Sequence, residues 1–174
     1  MRKLIIFGLL LFLTASAYAF EKGTVNVGGN VSYSSIKANS DADAYTIFLF
    51  SSQAGYFVRD NIALDIGFDL SVADYDGSET SLIFDIGSRY FIGDIFYSGF
   101  KVMVQTYSGG GFKLSQNFVQ LGAGYLVPLV KNVVYLNLDV NYTMGIGDYG
   151  GDISGTNEES RLNFGAGIEY FIKK

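Results

Sequence analysis

The chain has no cysteine and no histidine, and a single proline in 174 residues. Without cysteine there is no disulfide framework and no thiolate chemistry. Without histidine the commonest general base and metal ligand is missing, and a Ser-His-Asp hydrolase is excluded on chemistry. Charge is sparse at 17 %, and the balance is acidic, with twelve Lys and Arg against seventeen Asp and Glu. Nucleic acid is not an expected partner, because neutralising phosphates requires clustered basic residues. Past residue 19 no apolar run approaches the ~20 residues a membrane-spanning helix needs. No motif calls for a cofactor.

The first nineteen residues read as an address. Arg2 and Lys3 form a positive start, residues 4–13 are apolar, and Ala17-Tyr18-Ala19 supplies a small-x-small cleavage site. The apolar run is about half the length of a membrane anchor. The expectation is a cleaved signal peptide over 1–19 and one exported domain over 20–174.

What the chain has in plenty is apolar and small residues. Hydrophobic residues make up 49 %, with 22 Gly, 15 Phe and 13 Tyr, and they are spread one position in two. That period describes strands rather than helices. Eight alternating segments are expected, at about 23–35, 45–57, 62–72, 80–92, 95–107, 115–127, 133–144 and 160–172. The third sets Ile62, Leu64, Ile66, Phe68, Leu70 and Val72 against Ala63, Asp65, Gly67, Asp69 and Ser71. The seventh sets Val134, Leu136, Leu138, Val140 and Tyr142 against Asn137, Asp139, Asn141 and Thr143. Connections after even-numbered segments are short (58–61, 93–94, 128–132), and those after odd-numbered ones are mostly longer (36–44, 73–79, 108–114, 145–159). Short turns on one rim and long loops on the other describe an up-and-down barrel with both termini on the short-turn side.

Alternation alone does not say which face meets water, since a soluble lipocalin-like carrier in the periplasm has the same period. Three features favour lipid outside. The polar faces carry Gly, Asn, Ser and Asp, which suit a narrow eight-stranded lumen. Bulky apolar residues on all eight segments would overfill that lumen. Aromatics gather beside the short turns (Tyr56, Phe57, Tyr90, Phe91, Phe96, Tyr97, Tyr125, Tyr170 and Phe171), as expected of a girdle at headgroup level. The fold expected is all-β: an eight-stranded antiparallel up-and-down transmembrane β-barrel in the bacterial outer membrane, both termini periplasmic.

Gly55-Tyr56-Phe57-Val58-Arg59-Asp60-Asn61-Ile62-Ala63-Leu64 resembles a turn common in the OmpX/OmpA-like, opacity-type porin family of small outer-membrane barrels. Asn163-x-Gly165-x-x-Ile168-x-Tyr170 resembles the C-terminal strand signal read by the barrel assembly machinery. The resemblance extends over residues 20–174 as pattern and to these two segments as motif. It implies an integral barrel but no single activity, since members include adhesins, stabilising barrels and proteins without an assigned role. Implied partners are outer-membrane lipid, lipopolysaccharide and the assembly machinery, with a monomer expected. Enzymes of this architecture use histidine-containing sites, which this chain cannot build.

Chemistry decides among the other motifs. Gly145-Ile146-Gly147-Asp148-Tyr149-Gly150 matches G-x-G-x-x-G, but the next residues, Gly151 to Gly155, will not open the helix that dinucleotide binding requires. Asp74-Tyr75-Asp76-Gly77-Ser78-Glu79 resembles part of a calcium loop and reads better as a turn. Asp65, Asp69, Asp85, Arg89, Lys101, Asp139, Arg161 and Glu169 fall on inward faces, where charge must be paired. Lys101 is expected near Asp85 and Arg89 near Asp65. The expected role is a polar network plugging the lumen, in a non-enzymatic protein acting structurally or through its surface loops. The alternative is a small ion- or solute-conducting barrel.

Overall fold

The computed structural model describes residues 20–36, 45–74, 78–93, 95–152 and 160–173. The expected signal peptide lies outside the described residues, as do most of the first and last long connections. Eight strands follow in order: β1 (Val25–Ile36), β2 (Tyr45–Arg59), β3 (Ile62–Asp74), β4 (Ser78–Ile92), β5 (Phe96–Gly109), β6 (Phe112–Val130), β7 (Val134–Gly151) and β8 (Ser160–Ile172). Each pairs antiparallel with the next, and β1 pairs with β8 to close the barrel. Closure leaves the alternating side chains two destinations, lumen or exterior.

The apolar set goes outward. Ile66, Ile86 and Phe164 are 62 %, 64 % and 80 % exposed, and Leu64, Phe84, Leu121 and Leu162 share their face. A band of bare aliphatic and aromatic side chains around the whole barrel is incompatible with water outside and suits hydrocarbon.

Two connections differ from expectation. The 108–114 segment is not a long loop, because β5 and β6 extend to a two-residue turn at Gly110 and Gly111. Both have positive φ (58° and 82°), the geometry whose twist matches a hairpin. The 145–150 glycine motif lies within β7 and opens no helix. At the short-turn rim, Asn61 and Asn132 sit in the left-handed region (φ 67° and 63°), which Asn tolerates better than other non-glycine residues. Pro128, unable to donate a ladder hydrogen bond, stands where the β6–β7 register shifts.

The expected girdle is only half a girdle. Tyr56, Tyr90, Phe96, Tyr125 and Tyr170 do point outward, but Phe57, Phe91, Tyr97 and Phe171 are buried inside. Successive strand residues face opposite sides, so adjacent aromatics are necessarily divided between the two.

Candidate functional site: the barrel lumen

The lumen is filled in layers. At the short-turn end Phe20, Phe57, Ala63, Phe91, Tyr97, Leu126, Tyr135 and Phe171 form one buried cluster. Phe20 stacks on Phe171 with centroids 4.2 Å apart and meets Phe57 and Phe91 at 5.2 Å each. The segment before β1 is tied to the turns beside it, since Asn61 N donates to Phe20 O at 3.0 Å and Gly23 N to Phe57 O at 2.9 Å. Phe20 thus joins side chains from β2, β4, β7 and β8 in an apolar floor.

Above this floor lies a charged layer centred on Arg89. Its Nε and Nη2 both donate to the Asp65 carboxylate at 2.9 Å, and Nη1 donates to Glu169 Oε1 at 2.7 Å. All three side chains are at most 5 % exposed. The guanidinium also lies 5.2 Å from the Phe91 ring centre and 5.0 Å from that of Tyr97, within cation–π range. Asn137 donates to Glu169 at 2.9 Å and accepts from the Tyr97 hydroxyl at 3.0 Å, while Asn26 donates to the other Glu169 oxygen at 3.3 Å. Fixed donors on nearly every carboxylate oxygen are what buried charge requires. The next layer pairs Lys101 Nζ with Asp85 Oδ1 and with Gln53 Oε1, each at 3.1 Å.

Glycine makes these layers fit. Asp65, Asp85, Arg89, Lys101, Asp139 and Glu169 each pair directly across the sheet with a glycine: Gly55, Gly67, Gly99, Gly87, Gly165 and Gly28. A Cβ on Gly67 would collide with the Asp85 carboxylate, and one on Gly124 with the Tyr97 ring. A large inward side chain therefore lies flat over the small residue facing it, which is how a narrow barrel holds so much polar mass.

Toward the long-connection end the lumen widens into a cavity of about 490 Å³. Asp69 and Asp139 line it, hydrogen-bonded to Ser51 and Asn141. Asp85, Lys101 and Glu169 face it from below. Arg161 pairs with Thr143 in the β7–β8 ladder, and its side chain lies outside the described residues. The lumen face is not purely polar, because Ile83, Met103 and Phe118 also line the cavity. Charge alone does not single out these three, nor Asn26, Gln53 and Asn137, although all six sit on the inward parity of their strands. Phe20 lies in no alternating segment and carries no such signal.

A closed eight-stranded barrel with lipid-compatible walls and a packed, charge-bearing lumen defines a small transmembrane β-barrel. The chain belongs to the outer membrane protein beta-barrel domain family, whose model matches residues 5–174. Membership places it in the bacterial outer membrane. Among solved structures it is similar to the outer membrane protein OprG from Pseudomonas aeruginosa, at 15 % identity and TM-score 0.54, covering 88 % of this chain and 98 % of that one. The N-terminal β-barrel domain of Pseudomonas aeruginosa OprF matches at 10 % identity and TM-score 0.52, covering 88 % and 100 %. At these identities the likeness establishes the fold alone. No curated protein matches the sequence.

Proposed function

We propose that this protein is a non-conducting, non-enzymatic barrel that serves as a rigid outer-membrane platform, with its interactions made at the long-connection rim. The observation that carries this reading is the floor: Phe57, Phe91, Tyr135 and Phe171 are at most 2 % exposed and pack around Phe20. The Arg89 layer rests directly on them. Moving ions through would require displacing both an apolar cluster and a hydrogen-bonded ion triad, and neither is poised to move alone.

In this reading the termini and short turns are periplasmic and the long connections extracellular, as topology favours for a chain threaded from the inner side. The partners are membrane lipid and lipopolysaccharide, with the β8 segment engaging the assembly machinery and the barrel acting as a monomer. The lumen residues Asp65, Arg89 and Glu169 then serve as a structural lock, with no catalytic duty.

Planar-bilayer recording tests the reading. The wild-type protein should add no steady conductance, whereas the combined Phe57→Ala, Phe91→Ala and Phe171→Ala variant should leak. A reproducible wild-type conductance whose ion selectivity changes with Lys101→Ala would overturn the proposal in favour of a conducting barrel.

A further inference from the structure

The barrel wall is uneven at its seam. The β1–β8 ladder runs only from Val25↔Ile172 to Gly29↔Ile168. Beyond it, among the described residues, β1 pairs with β2 alone up to Ile36, and β8 pairs with β7 alone from Ser160. Where the ladder stops there is a second cavity of about 460 Å³. Its lining mixes outward residues (Val31, Phe50, Ala166) with inward ones (Asn30, Ser51, Gly167). Several of these residues also line the lumen cavity, whose lining reaches the outward-facing Phe164 and Ile168, so the two spaces adjoin at the seam. Phe164, the most exposed apolar side chain described, stands on β8 just above the end of the ladder.

The opening lies within the lipid-facing band. On β8, Ile168, Tyr170 and Ile172 are exposed on one side of it and Leu162 and Phe164 on the other. Hydrocarbon cannot satisfy open strand edges, so their backbone groups must be solvated from the lumen side. The place is therefore wet inside and oily outside, a boundary that suits an amphiphile lying across it.

The charges of the cavity decide the head group. Among the described residues it is lined by Asp69, Asp85, Asp139 and Glu169 against Lys101. Lys101 and Arg89 are ion-paired to Asp85 and Glu169, while Asp69 and Asp139 bond to the neutral Ser51 and Asn141 and feel the Lys101 charge without an ion pair to it among the described residues. Ile83 pairs directly with Asp69, and Met103 with Asp85, setting apolar surface beside carboxylate. A methylated ammonium, cationic but clothed in methyl groups, matches both.

We propose that the gap between β1 and β8 is a lateral window through which the lumen cavity binds a single-chain amphiphile with a quaternary ammonium head. The head sits near Asp69 and Asp139, and the alkyl chain leaves past Val31, Phe50 and Ala166 into the bilayer. The proposal requires a membrane-embedded barrel but not a closed floor, so a conductance result does not bear on it.

The absence of cysteine and tryptophan makes the test clean. Continuing the register places Val31 opposite Ala166, so Val31→Cys with Ala166→Cys zips the seam when oxidised. Met103→Trp puts the sole tryptophan in the lumen. In phosphatidylcholine vesicles, a bromine-labelled dodecyltrimethylammonium should quench that tryptophan saturably. Affinity should fall about tenfold, the loss expected for ~1.4 kcal/mol of binding, on oxidising the seam and again in Asp69→Asn with Asp139→Asn. Brominated dodecyl sulfate should not saturate. Quenching that is unchanged by the locked seam, or equal for the anionic probe, overturns the proposal. If the tryptophan variant does not fold, calorimetric titration of dodecyltrimethylammonium into the Val31→Cys, Ala166→Cys protein replaces it: binding should weaken about tenfold from the reduced to the oxidised form, and equal binding by both overturns the proposal.

Discussion

Replacing Arg89 by methionine isolates what the ion triad contributes. The substitution keeps an unbranched apolar stem but removes three charged hydrogen bonds, two to Asp65 and one to Glu169. Each such bond is worth about 1.5–3 kcal/mol in general, so simple addition would give an implausibly large loss. The better guide is the cost of removing one partner from a buried pair, about 3–5 kcal/mol. Two carboxylates are orphaned here, but unequally. Glu169 keeps its donors Asn26 and Asn137, whereas Asp65 keeps only Gln53 at 3.4 Å among its side-chain donors. The expected loss for Arg89→Met is therefore about 4 kcal/mol, roughly a thousandfold in the folding equilibrium. Adding Asp65→Asn and Glu169→Gln removes the stranded charge, and this triple variant should recover to within about 2 kcal/mol of wild type. Urea unfolding in lipid vesicles, followed by tyrosine fluorescence and by heat-dependent gel mobility, measures all three proteins. An Arg89→Met loss below about 1 kcal/mol, or a triple variant no better than the single one, would refute the reasoning.

Four further outcomes rest on facing, fit and backbone geometry. Leu138→Arg should cost about 2–4 kcal/mol in the same unfolding assay if Leu138, 42 % exposed, meets the bilayer midplane; the neighbouring Asn137→Ala should lose about 1–3 kcal/mol through stranded partners inside the lumen. Gly124→Val should drive the Tyr97 ring off Asn137 and cost about 1–3 kcal/mol by overpacking, with a nuclear magnetic resonance signature at the tyrosine. Asn61→Gly should leave stability nearly unchanged, whereas Asn61→Val, forced to the same positive φ, should cost about 1–2 kcal/mol.

The expected strands and the observed ones differ mainly at their ends on the long-connection rim. Period-two alternation shows that a stretch is extended, but it fades at the long-connection ends of β5, β6 and β7, where Thr106, Ser108, Lys113, Ser115 and Asp148 interrupt the apolar face. The hairpin at Gly110 and Gly111 and the end of β7 at Gly151 therefore look like loop in the sequence and are strand in the structure. The charged lumen residues stand out because they interrupt an otherwise small-residue face. The aromatic floor does not, because Phe57, Phe91 and Phe171 each neighbour an outward tyrosine, and composition cannot separate adjacent residues that strand geometry sends opposite ways.

By itself the sequence determined the number of strands and their antiparallel order, through local alternation and the lengths of connections, and which face meets lipid, through the small residues of one face and the bulky apolar residues of the other. Only the tertiary structure decided what the lumen is. Register across neighbouring strands lays six of the charged lumen side chains over a glycine, brings Arg89 of β4 to Asp65 of β3 and Glu169 of β8, and ends the β1–β8 ladder early. Those meetings join residues as distant in sequence as Val25 and Ile172, and no local period encodes them; they arise from closing the barrel at one particular register.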